Sequence, residues 1–351
     1  TVCMACLLSA GLEPLDPPDG APPDSAELAP AGDVGEHAVA PADYELVRKL
    51  GEGGMGVVYL ARQERPIRRE VALKIIKRGM DSREVIARFE AERQSIALMD
   101  HPAIAAIFDA GRTRDGSPYF AMEYVDGTPL TAYCDERRLG LRARLELFCR
   151  VCEGVQHAHH KGIVHRDLKP SNILVADGDG GPLPKIIDFG VAKATEPRLA
   201  DGTLMTELGA MIGTPDYMSP EQARMSVLDV DTRSDVYSLG VLLYELLAGA
   251  LPIEAGRLRT SGVDEVRRAI REQDPPSLTR RLRELGEDAR EQASRRGLDG
   301  PSLERTLRGD LESITAKALE KERERRYGSP AELAADVRRH LRDEPILARP
   351  P

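Results

Sequence analysis

The chain has 351 residues, 41% hydrophobic and 30% charged, enough for a sizeable core in one large domain or two smaller ones. Its formal net charge of −9 is uneven: residues 1–43 hold eight acidic side chains and no Lys or Arg. The remainder is close to neutral, which excludes the clustered basic footprint of a nucleic-acid binder.

No run is long and apolar enough for a membrane span; YSLGVLLYELLAGALPI carries Glu245 in its middle and reads as a buried helix. No basic segment opens the chain, so a secretory signal is not expected. Five cysteines, an odd number, give no disulfide framework and fit a reducing compartment. The chain starts at Thr1 rather than Met, consistent with a fragment.

Residues 1–43 are expected to form an acidic, disordered tail, because a Pro-, Ala- and Gly-rich stretch buries too little to offset its ordering entropy. From Tyr44 the pattern changes. YELVRKL, GVVYLAR and REVALKIIK are short and rich in β-branched residues, and predict antiparallel strands. SREVIARFEAERQSIALM places Val85, Phe89, Ile96 and Met99 at helical spacing, and GSPYFAMEYVDG predicts a further strand. The rest is mostly helical, most clearly in LRARLELFCRVCEGVQHAHHKG and SDVYSLGVLLYELLAG. A small β-rich lobe followed by a larger helical lobe is the expected architecture. Residues 255–310 are highly charged with few apolar anchors, and are expected to be an insertion of solvated helices.

Chemistry-bearing residues recur along this frame. GEGGMGVV holds Gly51, Gly53 and Gly56 in a G-x-G-x-x-G pattern. A strand follows it rather than a helix, which favours a glycine-rich hairpin able to close over phosphates, the alternative being an ordinary flexible hairpin. Lys74 shares a strand face with Ala72 and Ile76, so it needs an anionic partner unless its head snorkels to solvent. Glu92 is the charged member of an otherwise apolar helical stripe and is the expected partner. HRDLKPSN then sets Asp167, Lys169 and Asn172 in one loop, and KIIDFG puts Asp188 just after an apolar strand. Asn172 and Asp188 offer hard oxygens of the kind Mg²⁺ takes beside phosphates. Asp167 could orient an attacking hydroxyl and accept its proton, and Lys169 could neutralise charge on a transferring phosphoryl group.

With these motifs in this order the sequence resembles the protein kinase family, over residues 44–342. The resemblance implies an α+β, bilobal protein-kinase fold. An antiparallel β-sheet N-lobe (44–125) with one key helix precedes a mainly α-helical C-lobe (126–342), with 343–351 as a C-terminal linker. It implies ATP and Mg²⁺ as cofactors, with Mn²⁺ as an alternative. ATP would be held by Leu50, Gly51, Glu52, Gly53, Gly54, Met55, Gly56, Val58, Ala72, Lys74 and Glu92. The hinge residues Glu123 and Val125, with Met122 behind them and Leu174 below, would complete that site. Asp167 would be the catalytic base, Lys169 would contact the γ-phosphate, Asn172 and Asp188 would ligate the metal, and Thr214 would bridge Asp167 and Lys169.

LKPSN and GTPDYMSPE resemble the serine/threonine-specific branch, which implies protein substrates and no nucleic acid. Glu221, in SPE where the family usually has A-P-E, would pair with Arg326 to anchor the activation segment. Arg166 before the catalytic Asp implies a phosphorylated activation segment, with Thr206 favoured over Thr203 and Thr195 and an unmodified segment as the alternative. A kinase-domain homodimer for autoactivation is a further expectation. MGVVYLARQ, GDLESITAKALEKERERRY and DEPILARPP resemble bacterial eukaryotic-type kinases. In many of those a cytoplasmic kinase domain precedes a membrane helix and a sensor region, so a membrane anchor in a full-length protein is implied, though none lies in this chain. Two rivals remain: a pseudokinase scaffold, which normally lacks one of the five charged or amide groups present here, and a small-molecule phosphotransferase, which lacks the GTPDYMSPE segment.

The C-x-x-C pairs invite a zinc reading. Cys149 and Cys152 fall on a helix stripe with Leu145, Phe148 and Val155 and are expected to be inert core residues. Cys3 and Cys6 are only half of a ribbon, so no metal is expected there. His157, His159 and His160 end the same helix and are expected at the surface.

Overall fold

The computed structural model describes residues 40–53, 56–77, 99–178, 180–189, 215–224, 230–253 and 263–348. Five antiparallel strands come first: β1 (Tyr44–Glu52), β2 (Gly56–Gln63), β3 (Arg69–Ile76), β4 (Ile107–Arg112) and β5 (Pro118–Glu123). They order as β1-β2-β3-β5-β4. The period of two sorts their side chains: Leu50, Leu60, Ala72, Ile76, Phe120 and Met122 pack on one face, and Tyr44, Ala61, Val71, Leu73, Tyr119 and Ala121 on the other. Gly56 opens β2 where a Cβ would lie 2.4 Å from the Ile75 carbonyl oxygen, so any side chain there would push β2 off β3.

The sheet is stitched to the second lobe by backbone. Ala105 N–H donates to Ile186 O at 2.9 Å and Ile186 N–H to Ala103 O at 2.8 Å, while Glu123 N–H donates to Ala106 O at 2.8 Å and ties β5 to that same segment of the first lobe. Lys185 Nζ adds an ion pair to Glu123 Oε2 at 2.9 Å.

The second lobe carries a three-stranded sheet, β6 (Thr128–Pro129), β7 (Ile173–Gly178) and β8 (Gly181–Ile186), and ten helices among the described residues. These are α1 (Leu130–Glu136), α2 (Leu141–His160), α3 (Pro220–Ala223), α4 (Thr232–Ala248), α5 (Val263–Glu272), α6 (Leu278–Glu284), α7 (Asp288–Arg295), α8 (Gly300–Leu307), α9 (Asp310–Ala318) and α10 (Pro330–Leu341). α4 is the axis of the lobe, with almost every side chain from Ser234 to Ala248 buried. A helix apolar all round belongs inside a core, as the sequence predicted. Cys149 and Cys152 are buried in α2 beside Phe148 and Val155, and burial pushes the Cys149 thiol up to about 11.

Three expectations are corrected. The helices of 255–310 are not simply solvated: Leu278, Leu282, Ala293, Leu303 and Leu307 join the main core. Arg296, 2% exposed, reaches the open carbonyls at the end of α4, with Nε at 2.6 Å from Leu247 O and Nη2 at 3.1 Å from Glu245 O. His159 is not a surface residue; its side chain is 4% exposed and Nε2 lies 2.7 Å from Asp235 Oδ2. The stretch after α10 is not a loose linker up to Ala348, because Ile346 is buried in the core and Leu347 N–H donates to Asp336 Oδ1 at 2.9 Å. The predicted helix over 82–99 lies outside the described residues apart from buried Met99, as does the tail up to residue 39.

Candidate active site

The loop after α2 turns at Gly162, whose φ of +74° suits a residue without Cβ. Two residues on, the apolar pair Ile163–Val164 gives way to the polar run. Asp235, at 0% exposure inside α4, accepts His165 N–H and Arg166 N–H through its two carboxylate oxygens, each at 2.8 Å. Burial opposes that carboxylate's charge, yet the hydrogen bond and charge of His159, with His165, hold it below its ordinary value. His165 Nε2 donates to Ile187 O at 3.1 Å, which leaves Nδ1 to accept Asp167 N–H at 3.3 Å. Its ring meets the edge of Phe189 at 4.6 Å between centroids. The loop is therefore pinned from beneath by α4 and from the side by the strand end that carries Asp188.

On that base the predicted residues converge. Lys169 Nζ lies 3.0 Å from Asp167 Oδ2, and Asn172 Nδ2 donates to Asp167 O at 2.8 Å and to Asp167 Oδ2 at 3.0 Å. The Asp167 side chain is still 49% exposed, so it is oriented without being sealed. Opposite, Lys74 Nζ pairs with Asp188 Oδ1 at 2.9 Å, the lysine head 10% exposed. Burial works against the Asp188 charge, but Lys74, by charge and hydrogen bond, and then Lys169 outweigh it and hold its carboxyl below the ordinary value. The Lys74–Glu92 pairing expected from sequence lies outside the described residues, and the Asp188 partner was not anticipated.

The residues expected to hold adenine fall in two apolar clusters. Leu50, Ala72 and Met122 share one, with Val58 packed against it, and Val125 and Leu174 join Ala105 in the other. Met122 also lines a small recess with Ala105, Ile107, Ile186, Asp188 and Phe189. Glu123 Oε2 meets both Lys185 Nζ and Ala106 N–H, the latter at 3.1 Å. Gly51, Glu52, Gly53 and Gly56 frame the hairpin, where Gly53 N–H donates to Gly56 O at 2.9 Å. Lys49 and Lys77 bracket Glu52 and hold its carboxyl down at about 2. Gly54, Met55, Thr214, Thr195, Thr203 and Thr206 lie outside the described residues.

The predicted anchor of the segment after Thr214 is formed. Arg326 Nη1 and Nη2 meet Glu221 Oε1 and Oε2 at 2.7 and 2.8 Å, with Ser234 Oγ donating to Glu221 Oε1 at 2.7 Å. Two features were missed from sequence. His159 shares the stripe of Phe148, Cys152 and Val155, spacing that could have shown it to be buried. Tyr217 Oη donates to Glu245 Oε2 at 2.5 Å, a contact across 28 residues that no local pattern announces.

Oxygen and nitrogen donors beside apolar clusters suit a nucleotide with its phosphates and a hard cation. Asn172 turns its amide nitrogen to Asp167, so its amide oxygen is the group suited to a metal, as is the Asp188 carboxylate.

Comparison with known proteins agrees. The family model described as "Protein kinase domain" matches residues 44–336. The serine/threonine-protein kinase pkn3 of Myxococcus xanthus is 36% identical over 290 residues, covering 82% of this chain and 52% of the relative. The serine/threonine-protein kinase PknB of Mycobacterium tuberculosis is 37% identical over 309 residues, covering 86% of this chain and 43% of the relative. The chain thus spans about half the length, or less, of these relatives. The crystal structure of the Mycobacterium tuberculosis PknI kinase domain is similar at a TM-score of 0.60 and 26% identity, covering 90% of this chain and all of that domain.

Proposed function

The chain belongs to the protein kinase domain family, with relatives among bacterial serine/threonine kinases, and on that premise we propose that it transfers the γ-phosphate of ATP to serine and threonine hydroxyls of proteins. The observation that carries the reading is the half-open Asp167 carboxylate fixed between Lys169 and Asn172, opposite the Lys74–Asp188 pair. The family uses ATP and a divalent metal; Mg²⁺ is the ion we propose, with Mn²⁺ as a substitute.

In this reading Asn172 and Asp188 hold the metal, and Lys74 gives part of its charge to the α- and β-phosphates. Bound Mg²⁺ would supply charge neutralisation across the phosphate oxygens. Asp167 orients the attacking hydroxyl and takes its proton as the new oxygen–phosphorus bond forms. The bond from the γ-phosphorus to the β,γ-bridging oxygen breaks, releasing ADP, while Lys169 offsets charge on the transferred group. Val58, Ala72 and Leu174 clasp adenine, and the hinge backbone at Glu123 and Val125 meets its edge. Little covalent chemistry is asked of the protein; positioning and charge do the work.

Phosphorylation of Thr206, Thr203 or Thr195, read by Arg166, is proposed as the activating event, in cis or within a kinase-domain homodimer. Among the described residues no helix is long and apolar enough to cross a membrane; a membrane anchor elsewhere in a full-length protein is a proposal from its relatives alone. A pseudokinase reading is disfavoured, because none of the groups needed for transfer is replaced. The test is incubation with radiolabelled ATP, Mg²⁺ and a generic basic protein, beside Asp167→Asn. Label on serine or threonine that disappears in the variant supports the reading; an unlabelled wild type sinks it.

A further inference from the structure

Arg166, the residue before Asp167, holds φ at +69°, a left-handed conformation that costs a non-glycine residue about 1 kcal/mol or more. Such a peptide stays in place only if its surroundings hold it. Its N–H is held by Asp235 Oδ1 at 2.8 Å. Its carbonyl oxygen accepts a hydrogen bond from Gln222 Nε2 at 2.7 Å, a residue 56 positions later in α3. The left-handed residue is therefore tied at one end to the lobe's central helix and at the other to the helix that closes the activation segment.

Gln222 is itself oriented. Its Oε1 accepts Ser219 N–H at 3.0 Å and Ser219 Oγ–H at 2.9 Å, while Ser219 Oγ caps Gln222 N–H, a reciprocal capping box. With the amide oxygen facing those donors, its NH₂ group must face Arg166 O. The neighbouring residue, Glu221, is clamped by Arg326 and Ser234, so α3 cannot drift to relax the contact.

We propose that Gln222 is a positioning residue for phosphoryl transfer: its carboxamide holds the Arg166 carbonyl and so fixes the peptide from which the Asp167 carboxylate projects. The proposal rests on the kinase reading for its kinetic consequence and on geometry alone for its structural one. Only an amide serves both ends. A carboxylate could accept from Ser219 but has nothing to donate to Arg166 O, and would set a negative charge against that oxygen. Gln222→Glu therefore separates the two roles, since Glu at this helix position preserves the capping box.

The experiment compares wild type, Gln222→Glu and Gln222→Ala by kcat, by KM for ATP, by Tm, and by hydrogen–deuterium exchange over residues 163–168. Misplacing a reacting group by an ångström can cost up to about a hundredfold, so a released Arg166 peptide should lower kcat of Gln222→Glu about tenfold. KM for ATP should stay within about twofold and Tm within about 2 °C, because neither the nucleotide site nor the cap is touched. Exchange over 163–168 should quicken in both variants. An unchanged kcat in Gln222→Glu overturns the proposal, and so does a loss that merely follows a fall in Tm. If wild type transfers no phosphate, the functional reading fails on its own. The exchange comparison then still decides on Gln222: faster exchange upholds the anchoring, and unaltered exchange rejects it.

Discussion

Two polar clusters sit within one lobe and are built to opposite ends. In the cleft, Asp167 touches Lys169 and Asn172 yet keeps 49% of its side-chain surface open, and Asp188 keeps 26%. In the frame beneath, Arg326 uses all five of its N–H groups: two on the Glu221 carboxylate and three on the carbonyls of Glu320, Arg233 and Lys321. The Arg326 side chain is 0% exposed and that of Glu221 6%. Spare hydrogen-bonding capacity marks groups held ready for a ligand, and saturation marks groups that hold the chain. The same residue types serve both ends, so partner number and burial separate chemistry from architecture.

The largest expected effects fall one on each side of that line. Asp167→Asn should lower phosphate transfer by about a thousandfold, since general-base groups contribute typically 10²–10⁴. Its Tm should move by no more than about 2 °C, because the Asp167 side chain is itself half in solvent. Arg326→Met should do the reverse at equilibrium, costing about 3–5 kcal/mol of stability by stranding a buried carboxylate. Urea unfolding checks it, and adding Glu221→Leu should return part of the loss. A stable Arg326→Met protein, or an unfolded Asp167→Asn protein, would break the division.

How far the two clusters could be read from sequence follows from where their parts lie along the chain. The cleft was legible because Asp167, Lys169 and Asn172 fall within six residues, where one loop must supply a base, a cation and a hard oxygen. The Glu221–Arg326 anchor, 105 positions apart, was reached only through family resemblance. The Lys74–Asp188 and Tyr217–Glu245 contacts were not reached at all, since neither strand alternation nor helix period encodes a partner on another element. Residues 278–307 were misread because charge counts cannot tell a solvated Arg from Arg296, whose guanidinium caps α4 from inside the core. The expected strands β1, β2, β3 and β5 and the helices α2 and α4 came through, because their apolar periodicity is uninterrupted.

Glu245 tests the frame at one titrating group. Burial, with Asp135 and Asp216 nearby, raises its carboxyl from 4.5 to about 7, against the opposing pull of the Tyr217 hydroxyl and Arg296. The folded chain therefore binds this proton more tightly than the unfolded chain. Its contribution is fully favourable below about 4.5 and is lost as pH rises towards 7. Glu245→Gln keeps an acceptor for Tyr217 and removes the titration. Relative to wild type, the variant should gain on the order of 2 kcal/mol between pH 5 and pH 8. Parallel stability curves for the two proteins would mean that this carboxyl is not strained by its site.

The smallest expected effect sharpens the contrast most, because it holds the chemistry constant. Arg283 and Glu304 also form an arginine–carboxylate ion pair, and Arg308 reaches the same oxygen of Glu304 at 2.8 Å. The Arg283 side chain is 63% exposed and that of Glu304 26%, where those of Arg326 and Glu221 are 0% and 6%. Water can replace either partner at the surface, so Arg283→Ala strands nothing, and salt already screens the pair. Its Tm should stay within about 1 °C of wild type, the shift vanishing at high ionic strength. A drop of several degrees would mean that the pair holds α6 to α8 as Arg326 holds α3. Burial would then no longer suffice to tell the ion pairs that shape this lobe from those that merely decorate it.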